Sequence, residues 1–288
     1  MNIERVVVIG AGTMGHGIAH VAAAAGCHVR LHDVSPTLVA SGLEKIRRNL
    51  DVGVEKKKVT AEEREQILAR IRASEELSSS VSDADLVVEA APEQLELKQE
   101  LVKSVFAAAP PRVIFASNTS SLPLTSIAAA ARHPGQVIGM HFFNPPHLMP
   151  LVEIVLAEQT SPETLDSIAL LAGRMKKEII RVKDSPGFAT SRLGVLLGLE
   201  AIRMLESGVA SAEDIDRAME LGYKHPMGPL RLTDLVGLDT RLKIAEHLFE
   251  EIGEQFRPPA LLRKMVRAGK LGKKTGQGFY TWDTGGAT

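Results

Sequence analysis

The chain has 288 residues, 44% hydrophobic and 24% charged, with a formal net charge of -1. This suits a globular protein of one large or two moderate domains and excludes a strongly charged binder of nucleic acid or acidic membranes. Aromatic residues make up only 4%, too few for base-stacking platforms, and a single cysteine excludes an intrachain disulfide and a cysteine-based metal cluster.

An apolar run at 5–9 begins almost at the first residue and ends in glycines far too early for a membrane span. A cytoplasmic protein with no membrane partner is expected. Residues 6–9 read as a buried strand, 14–25 as an Ala-rich helix, and 29–32 as a second strand ending at Asp33. Cys27 sits at the helix-to-strand turn after Gly26 and reads as a small buried hydrophobe. Ser35-Pro36 reads as an N-cap followed by an N1 proline, opening a helix to about Leu50. Thr60-Ala61-Glu62-Glu63 has the capping-box pattern and opens a helix to about Ile71. A strand at 85–89, a helix at 94–108 and a strand at 113–116 follow. The alternation predicts an α/β fold with a parallel, doubly wound sheet of Rossmann type.

Two further apolar runs, 136–140 and 151–156, flank a stretch in which Pro145, Pro146 and Pro150 forbid a helix. With no helix between them, the runs predict an antiparallel extension of the sheet. A turn centred near His147 then sets His141 opposite Glu153. Near Asp184-Ser185-Pro186-Gly187 the alternation stops, and helical periodicity covers about 188–207, 211–221, 228–236, 239–252 and 259–268. Ser211 and Thr233-Asp234 read as helix starts, and Gly208, Gly222 and Gly253 as stops. The predicted domains are 1–185, carrying a helical insertion at 36–71, and an all-α domain at 186–288. Leu193, Leu196, Leu197 and Leu205 give the second domain an apolar helix face suited to a homodimer.

Gly10-Ala11-Gly12-Thr13-Met14-Gly15 follows a strand and opens a helix, the context that gives a GxGxxG fingerprint its meaning. Gly10 allows the tight turn, Gly12 lets backbone approach a pyrophosphate, and Gly15 lets helix and strand pack. Asp33 can accept both ribose hydroxyls and repel a 2′-phosphate, while Val34, Ser35 and Pro36 offer no cation to hold one. NAD is the expected cofactor; a flavin protein needs more chain than this. His141 and Glu153 would supply a base and its orienting acid, because a carboxylate in an apolar strand needs a partner.

Ser117-Asn118-Thr119-Ser120-Ser121-Leu122, Gly139-Met140-His141-Phe142-Phe143-Asn144-Pro145, Leu151-Val152-Glu153, Asp184-Ser185-Pro186-Gly187-Phe188 and His225-Pro226-Met227-Gly228-Pro229 resemble the L-3-hydroxyacyl-CoA dehydrogenase family, including its 3-hydroxybutyryl-CoA members. The resemblance runs through the whole chain in order. It implies that His141 is the general base for the substrate hydroxyl, oriented by Glu153, and that Ser120 and Asn144 position the substrate. Glu93, Lys98 and Asn118 match the family's NAD contacts. At Ser191 the family commonly has an asparagine that hydrogen-bonds the substrate, so the shorter serine puts that contact in doubt. The resemblance also implies an acyl-CoA partner, with Arg48, Lys56 and Lys57 of the helical insertion as candidate CoA contacts. The basic segment at 270–280 reads as a C-terminal turn. Two alternatives are a related hydroxyacid dehydrogenase of L-gulonate or carnitine type and a non-catalytic NAD-binding protein.

Overall fold

The computed structural model describes residues 1–283, and the chain divides into two compact units, Met1–Ser185 and Pro186–Thr288. In chain order the first unit holds β1 (Arg5–Ile9), α1 (Gly15–Ala24), β2 (His28–His32), α2 (Pro36–Glu55), α3 (Ala61–Ala69), β3 (Ile71–Ser74), α4 (Leu77–Val81) and β4 (Leu86–Glu89). It continues through α5 (Leu95–Ala108), β5 (Ile114–Ser117), α6 (Leu124–Ala129), β6 (Val137–Phe142), β7 (Leu151–Leu156), α7 (Pro162–Arg174) and β8 (Glu178–Lys183). The strands form one sheet in the order β3-β2-β1-β4-β5-β6-β7-β8. The first six run parallel, β7 is antiparallel to β6, and β8 is parallel to β7.

The central strands β4, β5 and β6 are buried along their whole length, as a parallel sheet covered on both faces requires. The core beneath them gathers Val6, Val8, Ile18, Leu31, Ile46 and Leu86 from β1, α1, β2, α2 and β4. Cys27 is buried and free. The capping box of α3 is present in both directions: Glu63 N–H donates to Thr60 Oγ1 at 3.1 Å and Thr60 N–H to Glu63 Oε2 at 2.7 Å.

Several local expectations are corrected. α2 runs on to Glu55, past the stop expected at Leu50, and Ser35 stands at its N-cap position without a side-chain cap bond. α3 ends at Ala69 because Ile71 already belongs to β3, a strand the sequence pattern did not reveal. β8 was equally hidden. It is a sheet edge of intermediate and exposed residues, and an edge strand carries too little apolar signal to separate it from a loop.

The second unit contains α8 (Thr190–Glu206), α9 (Ala212–Arg217), α10 (Pro229–Val236), α11 (Leu238–Glu251) and α12 (Ala260–Arg267) around Val195, Leu199, Ile202, Leu230, Leu248 and Phe256. Ser211 caps α9, accepting from Asp214 N–H at 3.1 Å. Thr233 and Asp234, read as a helix start, instead lie inside α10; the break before α11 is Gly237 at φ 99°. Asp234 has another task. Its fully buried carboxylate accepts from Phe279 N–H (2.9 Å), Tyr280 N–H (2.9 Å) and Trp282 Nε1–H (2.8 Å), holding the C-terminal turn. A Cβ on Gly278 would meet Asp234 Oδ1 at 2.1 Å, so the turn passes closer to the carboxylate than any side chain allows. Lys274 in this turn is ion-paired with Asp239 at 2.6 Å.

Asp234→Ala leaves three donors without their acceptor, each worth about 1–3 kcal/mol when buried. The expected result is a loss of at least about 3 kcal/mol, seen as an earlier denaturant midpoint in the fluorescence of Trp282, the only tryptophan of the chain. An unchanged midpoint would show that other contacts hold the turn.

Candidate active site

The loops leaving β1, β4, β5 and β6 emerge at one edge of the sheet, because these strands run parallel. The strand order reverses between β1 and β4, the place where open α/β sheets bind ligands. The fingerprint glycines separate by cause. Gly10 has φ 98°, and a Cβ there would meet Ala90 O at 2.6 Å; a Cβ on Gly15 would lie 1.7 Å from Gly10 O. Packing alone therefore demands both. Gly12 has nothing within 4 Å. Its bare backbone borders open space, which fits the close approach of a pyrophosphate. Thr13 is exposed beside it, and Met14 at the N-cap position of α1 makes no side-chain cap bond, so the N-cap side chain does not occupy the helix N-terminus, where an anion can bind. Asp33 at the end of β2 is tied to this loop, since Oδ2 accepts from Ala11 N–H at 2.7 Å.

A buried polar network braces the next two loops. Glu89, the last residue of β4, is fully buried and accepts from Lys98 Nζ (2.7 Å), Ser117 Oγ (2.7 Å) and Ala91 N–H (2.6 Å). Lys98 is 1% exposed and also meets Glu93 at 3.3 Å. Glu93 Oε1 in turn accepts from Thr119 Oγ1 (2.6 Å) and Ser120 N–H (2.9 Å). Burial opposes ionisation of Glu93, but the Lys98 ammonium and these hydrogen bonds outweigh it and hold its carboxyl below the ordinary range. Lys98 is thus enclosed behind Glu93, with its charge shared between two carboxylates. Glu89 and Ser117 were missed in the sequence. The readable signal was a carboxylate closing an apolar strand with a lysine nine residues on.

β6 and β7 pair in the register Met140↔Ile154, His141↔Glu153, Phe142↔Val152. His141 and Glu153, 7% and 0% exposed, meet as Nδ1–H donating to Oε2 at 2.7 Å. The carboxylate fixes the tautomer, which puts the imidazole lone pair on Nε2. The Phe143 ring packs on His141 with centroids 4.8 Å apart. Asn118 Oδ1 accepts from Phe142 N–H at 2.9 Å, joining the loop after β5 to the strand end that carries His141. Asn144 is exposed at the start of the proline-rich loop. Lys177, also missed in the sequence, clamps that loop through Pro146 O and Met149 O, each at 2.6 Å.

A cavity of about 530 Å³ opens among α1, α2, α3 and residues 147–150. Lys56, Lys58, Arg174, Lys176 and Lys177 line it, with no carboxylate among its lining residues. Of the candidate CoA contacts, Lys56 reaches this cavity; Lys57 does not line it, and Arg48 lies exposed beside Glu44 at 3.4 Å. Ser191 stands in the first turn of α8, in the second unit. Among the described residues no cluster of three or more His, Cys, Asp or Glu could hold a metal ion, and no helix is long and apolar enough to cross a membrane.

The family described as "3-hydroxyacyl-CoA dehydrogenase, NAD binding domain" matches residues 5–185, and "3-hydroxyacyl-CoA dehydrogenase, C-terminal domain" matches 187–282. A probable 3-hydroxybutyryl-CoA dehydrogenase of Bacillus subtilis is 45% identical over 284 residues, covering 98% of this chain and 99% of the relative. Hydroxyacyl-coenzyme A dehydrogenase of pig mitochondria is 43% identical, covering 97% and 91%. The crystal structure of (S)-3-hydroxybutyryl-CoA dehydrogenase from Ralstonia eutropha superposes with a TM-score of 0.94 at 41% identity, covering 98% of this chain and all of that one. A dinucleotide-type glycine turn, a buried His–Glu pair on the same sheet and family matches spanning both units lead to one assignment: the chain belongs to the 3-hydroxyacyl-CoA dehydrogenase family.

Proposed function

We propose that this protein is an NAD-dependent dehydrogenase that reversibly oxidises L-3-hydroxyacyl-CoA to 3-ketoacyl-CoA, with 3-hydroxybutyryl-CoA as the favoured substrate. The observation that carries the reading is the buried 2.7 Å bond between His141 and Glu153 on the sheet that also bears the dinucleotide turn. NAD, when bound, supplies the hydride acceptor. His141 Nε2 takes the proton of the 3-hydroxyl as the carbonyl forms, and the imidazolium returns it to the ketone oxygen in reduction. Glu153 stabilises the imidazolium without leaving its hydrogen bond to Nδ1. Ser120, whose backbone is anchored by Glu93, and Asn144 are proposed to hold the substrate oxygen. Gly12, Thr13, Asp33, Glu93 and Asn118 are proposed to meet the cofactor, with Lys98 setting Glu93 from behind.

The cavity beside α1 is proposed to receive the phosphate-bearing end of CoA, because cations line it without an opposing acid. A homodimer through the second unit is proposed on the exposed apolar side chains Leu193 and Leu197 of α8 and Leu232, Leu235 and Val236 of α10.

The direct test is NADH oxidation with acetoacetyl-CoA against free hydroxyacids and ketoacids. Turnover of the thioester is expected, and turnover of free acids alone would refute the substrate assignment. His141→Ala is expected to lower kcat by about 10²–10⁴-fold, the usual worth of a general base; a near-normal rate would remove His141 from the chemistry. Asp33→Ala is expected to shrink the ratio of kcat/KM for NADH over NADPH. A ratio equal to that of the unaltered enzyme would count against the ribose assignment.

A further inference from the structure

The cavity beside α1 contains a feature that the reaction at His141 does not use. His20, on α1, and His147, in the proline-rich loop, stack with ring centroids 5.4 Å apart and planes 16° apart. Both rings line the cavity. In each, Nδ1 is sealed from solvent and has no hydrogen-bond partner. The amide nitrogen of Asn49, a third lining residue on α2, is in the same condition. Buried polar atoms without partners are uncommon and call for a cause. Here three of them belong to the walls of one cavity.

The stack is neutral. Burial, reinforced by His147, His16 and Lys177, pushes His20 from 6.5 down to about 4. Burial, with His16 and Lys177, lowers His147 as well. A neutral imidazole carries one proton. An orphan buried N–H is rarer than an under-satisfied acceptor, so the proton of each ring belongs on Nε2. The cavity thus combines Lys56 and Lys58, the stacked imidazole rings and apolar wall from Leu50 and Leu148. Lysines alone would hold a phosphate anywhere on a surface. The stacked rings add a fixed, neutral aromatic wall suited to a nucleotide's heterocycle.

We propose that the His20–His147 stack is a specificity-determining element that recognises the nucleotide end of the acyl-CoA substrate, remote from the reacting carbon. The inference rests on the acyl-CoA reading. It predicts that the stack governs binding of the CoA moiety and leaves the chemical step alone.

The test compares acetoacetyl-CoA with the acetoacetyl thioester of N-acetylcysteamine, which keeps the reacting group and lacks the nucleotide, both with NADH. His147→Ala and His20→Gln are expected to raise KM for acetoacetyl-CoA about tenfold, a change equivalent to about 1.4 kcal/mol. The Kd of free coenzyme A should rise by the same factor. Both variants should keep kcat, and both should match the unaltered enzyme on the truncated thioester, which also shows that they fold. Equal KM changes on the two substrates would reduce the stack to a structural role, and unchanged KM and Kd would overturn the inference while leaving the dehydrogenase assignment intact. If the unaltered enzyme turned over neither thioester, the acyl-CoA reading and this inference would fall together.

Discussion

A carboxylate with no exposed surface is tolerable only where something holds its charge, and Glu153 meets that condition through strand register. β6 and β7 pair so that His141 stands opposite Glu153. Ile138, Met140 and Phe142 of β6 and Val152 and Ile154 of β7 all enter one apolar core. With a side-chain period of two, His141 and Glu153 then share the other face. A slip of one residue would turn the apolar side chains of the slipped strand out of the core, three on β6 or two on β7, and would separate the pair. The hydrophobic packing of one face therefore holds the hydrogen bond on the other. Gly139 helps on that face, where a Cβ would lie 2.7 Å from the Cβ of Val155.

The rest of the site is kept in place by bonds between loops. Glu89 links β4 to β5 through Ser117, Glu93 links the loop after β4 to Ser120, and Asn118 links the loop after β5 to Phe142. Asp33 joins β2 to the glycine turn through Ala11. Each link ends at, or one residue from, a group with a proposed role. Such bracing holds a polar site in one geometry before ligands arrive, which matters because binding and catalysis weaken steeply when donors must be reorganised.

Asp234 plays the same part in the second unit as Glu89 does in the first. Both are fully buried carboxylates that organise backbone around themselves. They differ in charge compensation: Glu89 has the Lys98 ammonium, whereas Asp234 relies on N–H donors from the C-terminal turn. Neither was apparent as a hub in the sequence. Asp234 looked like a helix start because Asp and Thr favour such positions, and only the packing of residues 278–282 against α10 reveals why the acid is there.

Much was legible from local pattern. The strand–glycine turn–helix of residues 5–24, the capping box at Thr60 and the antiparallel pairing across the proline-rich loop follow from propensities and spacings that act over a few residues. The His141–Glu153 opposition belongs with them, because a two-strand register with a central turn is simple arithmetic. The edge strands β3 and β8, the Glu89–Lys98–Ser117 network and the His20–His147 stack did not follow. They join residues far apart in the chain, and the strand pairing or burial that gives them meaning exists only once the sheet has brought those segments together. The sequence by itself determined the inner strands of the sheet, the glycine turn and the opposition of His141 and Glu153, since local sterics and apolar periodicity suffice for these. Only the tertiary structure decided which polar groups lose their water, and that loss of solvent is what obliges them to find partners.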